Sequence, residues 1–187
     1  MKRLLLILIL TFSFQALSKA DDIRDFEIEG MSIGDSLLDF ITISKIKTLR
    51  TSYYPKSKKY VRYYEVKNST QYDGVDLYVL DKDKKFIIQS LSGFIEYDKN
   101  IKDCYLKKEN IIKEVSSQLR MKGDSYISNY NNDTSKSDVT DFELQNGSIR
   151  VWCTDYSKKK EKLNFGDFFA VTVSSESFLN WLDNEAY

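Results

Sequence analysis

A chain of 187 residues with 42% hydrophobic, 30% charged and 14% aromatic residues, seven Gly and one Pro is neither disordered nor collagen-like. Its 28 basic and 28 acidic residues cancel, so no net field points to nucleic acid or to an anionic membrane surface as a partner. Histidine is absent altogether, which removes serine–histidine and cysteine–histidine nucleophilic sites, HExxH zinc sites and most transition-metal chemistry.

Lys2 and Arg3 precede the apolar run Leu4–Leu10, which continues more loosely through Phe14, and Ser18-Lys19-Ala20 offers small residues for cleavage before Asp21. That is the pattern of a cleavable export signal over residues 1–20. A transmembrane helix needs ~20 predominantly apolar residues, whereas this run is interrupted by Thr11, Ser13 and Gln15. Loss of Lys2, Arg3 and Lys19 would leave residues 21–187 mildly acidic. A remainder of that size is expected to form a single α+β domain around one core.

Phe26 and Ile28 alternate with Glu27 and Glu29, predicting a short opening strand. Gly30 and Gly34 bracket a turn, after which Asp35 or Ser36 caps a helix carrying Leu37, Leu38 and Phe40. Helical spacing resumes at Ile43, Ile46 and Leu49, with β-branched Ile41-Thr42-Ile43 splitting the helix in two, and Pro55 closes the region. The aromatic and β-branched runs Tyr60–Val66, Val75–Leu80 and Phe86–Ile95 predict an antiparallel meander.

Ile101, Cys104, Tyr105, Ile111, Ile112, Val115 and Leu119 then recur at three- and four-residue steps, the clearest helix in the chain. Asp98 or Asn100 can cap its start, and Gly123 lies just past its end. Asp124–Asp138 is polar and Asn/Ser-rich and reads as a mobile loop. Val139–Gln145 and Ser148–Tyr156 flank Asn146-Gly147, a strong hairpin signal. Lys158-Lys159-Lys160 falls in the next loop, followed by a strand over Phe168–Ser174. The final helix starts near Ser175, with Phe178, Leu179, Leu182 and Ala186 on its inner face. The expected architecture is a twisted antiparallel sheet of about six strands with helices on one face, arranged as tandem helix-plus-three-strand units.

Cys104 and Cys153 are the only cysteines. An even count in an exported chain reads as one structural disulfide, the alternative being buried or reactive free thiols. Their spacing excludes a CxxC redox pair. Ile149, Val151 and Cys153 share one side of their strand, which should meet the Cys104 helix. Arg150, Trp152, Thr154 and Tyr156 fall on the other. Arg62 and Tyr64 share one face of an earlier strand and Asp76 and Tyr78 one face of the next. If these faces coincide, the helix-free side of the sheet carries Arg62, Tyr64, Tyr78, Arg150, Trp152 and Tyr156, residue types that anchor binding partners. Tyrosine also suits half-buried strands for purely structural reasons.

No GxxxxGK[ST], GxGxxG or EF-hand pattern occurs. Catalysis by paired carboxylates is left open, but no pair stands out among 28 acids. The triplets beginning at Asn68, Asn132 and Asn146 matter only in a host that glycosylates exported chains. Neither a cofactor nor a bound metal is expected.

Along Ile23–Leu38, with its Gly30-Met31-Ser32-Ile33-Gly34 centre, and again at Ile101–Tyr105, Ile149–Cys153 and Asn184–Tyr187, the chain resembles a group of exported proteins of small-genome marine alphaproteobacteria. That resemblance implies a periplasmic location but no activity, cofactor or catalytic residue. The Gly-Met-Ser turn and the meander are also similar to small envelope modules of the outer-membrane assembly lipoprotein and β-lactamase-inhibitor type, which implies a non-enzymatic binder. Unlike the assembly lipoproteins, this chain has no lipidated cysteine. The expected function is therefore a soluble periplasmic binding or interaction module without catalysis, the alternatives being a carboxylate-dependent hydrolase of the envelope or a structural envelope component. Its expected partner is an envelope protein or a small ligand, with no nucleic acid and no stable membrane insertion after signal cleavage.

Overall fold

Alternating side chains on eight strands set up the architecture. The computed structural model describes residues 22–64, 71–98, 100–130 and 133–187; the export-signal segment and the triplet positions Asn68 and Asn132 lie outside them. The strands are β1 (Thr51–Ser52), β2 (Tyr60–Tyr63), β3 (Gly74–Leu80), β4 (Ile88–Asp98), β5 (Asp124–Asn129), β6 (Lys136–Leu144), β7 (Gly147–Asp155) and β8 (Asp167–Ser175). They form one open sheet in the order β1-β2-β3-β4-β8-β7-β6-β5, and every neighbouring pair is antiparallel. Two four-strand meanders thus meet at β4 and β8, and each is followed by a helix, α2 (Ile101–Leu119) and α4 (Glu176–Asn184). The expected helix-plus-three-strand unit is in fact four strands and then a helix.

Both additional strands are the sheet's edges. β1 is two residues long, too short to show a period. β5 occupies the start of the expected Asp124–Asp138 loop, and all six of its residues are exposed. With neither face buried, nothing selects for alternation, and its strand state comes from pairing with β6, from Asp124↔Asp141 to Asn129↔Lys136.

One face of the sheet is closed. Val75, Leu77, Val79, Leu91, Ile149, Val151, Phe169, Val171 and Val173 project from it into a single core. α2 lies over them with Cys104, Lys108, Val115 and Leu119 buried, and Cys104 is bonded to Cys153 of β7 with the Cα atoms 6.0 Å apart. Buried Ile23, Phe26, Ile28, Met31, Ile33 and Leu37 complete the cover. Each such aliphatic or aromatic side chain contributes roughly 1.5–3 kcal/mol on full burial.

This N-terminal cover is not the expected strand and two helices. Glu29 and Gly30 both have positive φ (54° and 76°), and Ile28 and Met31 pair across them, so the chain reverses where a strand would have continued. A 3-10 turn at Leu37–Asp39, capped by the Ser36 hydroxyl, replaces the first helix. The second shrinks to α1 (Ile43–Ile46) behind the Thr42 cap. The lysine run also forms a helical turn, α3 (Lys158–Glu161), whose Ser157 Oγ accepts from the Lys160 N–H.

The larger correction concerns α4. The sequence places all helices on one side, yet α4 packs on the face opposite α2. Its Phe178 ring lies 4.8 Å from Tyr78 and 5.2 Å from Tyr60, and Trp181, buried in the same small cluster, donates its indole N–H to Ser57 Oγ at 2.9 Å. Tyr78 is in register with Ser90, Ser174 and Ser148, two and four residues from Arg150 and Trp152, and so on the side away from Cys153. No described helix is long and apolar enough to cross a membrane.

Candidate functional site

Where α4 stops, the second face is a trough. Its floor is the central pair β4 and β8, where the small side chains Ser90, Ser92, Ala170, Thr172 and Ser174 are followed by Phe94, opposite Ala170, in the larger cleft. Hydroxyls bond across the floor, Ser90 to Ser174 at 2.8 Å and Ser92 to Thr172 at 2.7 Å. Larger residues on β2 and β3 form one wall and residues of β7 the other. Two clefts of about 400 Å³ and 240 Å³ result. They are one depression, because Arg62, Asp76, Ser92 and Trp152 line both.

Its charges are paired. Arg62 Nη2 donates to Asp76 Oδ2 at 2.6 Å, and Asp76 is only 4% exposed. Burial disfavours the Arg62 charge, but Tyr78 and Asp76 outweigh it and its pKa is raised. The Arg50 and Arg62 guanidiniums both lie over the Tyr64 ring, at 4.0 and 4.3 Å from its centroid, and the Tyr64 hydroxyl meets Ser52 Oγ at 2.8 Å. Arg62 Nε is buried with no hydrogen-bond partner among the described residues. On the opposite wall Arg150 makes a bidentate pair with Asp141, at 2.7 and 2.8 Å. Tyr126 donates to the same carboxylate at 3.0 Å, and the Asp141 bond holds the Arg150 pKa up.

Aromatic side chains close both ends. Trp152 and Phe168 meet edge-on at 6.4 Å, and Tyr156 packs against Phe165 at 5.4 Å; Lys160 Nζ sits 4.7 Å over the Phe165 ring. The Tyr156 N–H donates to buried Asp167 Oδ1 at 2.9 Å, and desolvation pushes the Asp167 carboxyl up. At the far end stand Phe178, Leu179 and Leu182 of α4, beside Tyr54, whose hydroxyl is pushed up to about 12 by burial.

All six residues singled out from the sequence lie on this face. Arg62, Tyr64, Trp152 and Tyr156 line the larger cleft, and Arg62, Tyr78, Arg150 and Trp152 the smaller. The face is not helix-free, because α4 caps one end. Sequence reading also missed the floor, although Phe168, Ala170, Thr172 and Ser174 alternate with Phe169, Val171 and Val173 in the expected way. Asn146 is taken up structurally, accepting from the Ile23 N–H and donating to Asp22.

Carboxylate chemistry finds little support here. Asp76 and Glu96 line the larger cleft, but Asp76 is opposite Ser92, four residues from Glu96. That places their Cα atoms ~13 Å apart along the sheet, and the Asp76 carboxylate is already engaged by Arg62. Among the described residues no group of three or more metal-binding side chains converges. Comparison with protein-family models, curated proteins and solved structures returned no match, so the trough's own geometry carries the functional reading.

Proposed function

We propose that this chain is a soluble periplasmic binding module without catalysis, and that its ligand or partner occupies the β4–β8 trough. The observation that carries this reading is the assembly, from β2, β3 and β7, of ion-paired guanidiniums and aromatic rings around a floor that carries the Ser90, Ser92, Thr172 and Ser174 hydroxyls. Pockets that bind are concave, mostly apolar and supplied with a few fixed polar groups. The Cys104–Cys153 bond fits an extracellular or periplasmic protein, and the resemblance to exported proteins points the same way. Affinity capture from native envelope extract tests the proposal. Material retained by the wild type and lost by a Trp152→Ala/Tyr64→Ala variant with an unchanged fold supports it. Equal retention by both proteins refutes it.

A further inference from the structure

Resting on the trough as the binding site, we infer that its ligand is a short, uncharged saccharide. The first reason is charge. The larger cleft is lined by Arg50 and Arg62 against Asp76 and Glu96, and Arg150 on the far wall is held by Asp141. An ionic ligand gains no net field there and would have to compete with an existing ion pair.

Chemical mixture is the second. Trp152, Tyr156 and Phe168 offer half-buried ring surface, suited to the C–H faces of sugar rings, while the Arg62–Asp76 pair and the Ser92 and Thr172 hydroxyls lie beneath and beside them. Adjacent sugar hydroxyls both donate and accept. A carboxylate paired to a planar guanidinium presents the complementary acceptors and donors side by side, and each serine or threonine hydroxyl keeps lone pairs beyond its one internal bond.

Backbone geometry is the third. Both floor strands have hydrogen-bonded neighbours on either side, β4 between β3 and β8 and β8 between β4 and β7. An extended peptide therefore finds no strand edge to pair with in the trough. Recognition has to come from side chains, and these are the side chains that read hydroxyls and ring faces.

Calorimetric titration of the oxidised protein against three sets of probes tests the inference. They are neutral gluco-configured hexose and N-acetylhexosamine oligosaccharides, their uronic acid or sulfated counterparts, and extended or proline-rich peptides. Neutral saccharides should bind, with an affinity changing less than about twofold between ~0.05 and ~0.5 M salt because no net charge is neutralised. Trp152→Ala should weaken that binding by about tenfold or more in protein that keeps the wild-type fold. Binding of only the charged saccharides, or only the peptides, lost in Trp152→Ala overturns the neutral-saccharide assignment and leaves the trough in place. Failure of every neutral saccharide at millimolar concentration overturns it too, while Trp152-dependent capture from envelope extract continues to stand for the trough. Saccharide binding unaffected by Trp152→Ala and by Tyr64→Ala contradicts both.

Discussion

The same strands build two unlike faces. From β7, Ile149, Val151 and Cys153 enter a closed core under α2, while Arg150 and Trp152 enter the open trough. On β4, fully buried Leu91 sits between Ser90 and Ser92 of the trough floor. One face is largely apolar and cross-linked; the other mixes aromatic rings with hydroxyls and ion pairs. A sheet that only needed to fold could bury its second face against a second helix, and here α4 covers only one end of it. Stability is thus concentrated on the α2 face, which leaves the trough face able to carry polar groups.

Substitutions of neighbouring residues should separate the faces most sharply. Leu91→Ala should cost ~2–5 kcal/mol in chemical denaturation, because the α2 face cannot collapse around the lost volume. Ser92→Ala, one residue away, removes a single hydroxyl bond and should cost only about 1 kcal/mol. Equal losses would erase the contrast between the faces. Removing the cross-link by Cys104→Ser should cost ~2–4 kcal/mol, the range for a long closed loop; the bonded cysteines are 49 residues apart. Its melting temperature should fall by about 10 °C. Native, unreduced protein should yield no thiol to a labelling reagent, and two labelled thiols would contradict the bond.

Within the trough, Arg62→Met should destabilise by ~1–3 kcal/mol, because Asp76 is buried and loses its guanidinium. Asp76→Asn should cost less, because Arg62 keeps part of its access to water and an amide oxygen can still accept. The reverse order would mean that Arg62 does not hold Asp76 in place. The smallest effect is at Asp167, whose carboxyl is raised by burial. Its charged form therefore opposes folding above that raised value, and protonation favours the folded state as pH falls through it toward the unfolded one. Asp167→Asn, which can still accept from the Tyr156 N–H, should leave stability equal or slightly higher at pH 7. The variant's advantage should vanish under acid conditions, and a thermal melt series across pH reads the difference.

How far the sequence revealed this depends on which faces are buried. Strict alternation on β7, Ile149-Arg150-Val151-Trp152-Cys153, was legible because one side must be apolar and the other is not, and it put Cys153 on the side of the Cys104 helix and Arg150 and Trp152 on the other. β5 was illegible because all of its residues are exposed. α4 shows a third limit. Its amphipathic stripe shows that Phe178 must be buried, but not on which side of the sheet. That depended on Tyr60 and Tyr78, whose rings await Phe178 and Trp181 on the trough face. Likewise Ser90, Ser92, Thr172 and Ser174 look like ordinary polar strand positions until β4 and β8 are known to be neighbours across the two meanders.

The measurement that tests the division of the faces most directly is an NMR titration of the isotopically labelled, oxidised protein with envelope extract, separated into dialysable and macromolecular fractions. The expected result is a set of shift changes clustered at Ser92, Trp152 and Ala170, with α2 and β5 unmoved. Changes centred on α2 or β5, or no changes with either fraction, would contradict the trough as the functional face.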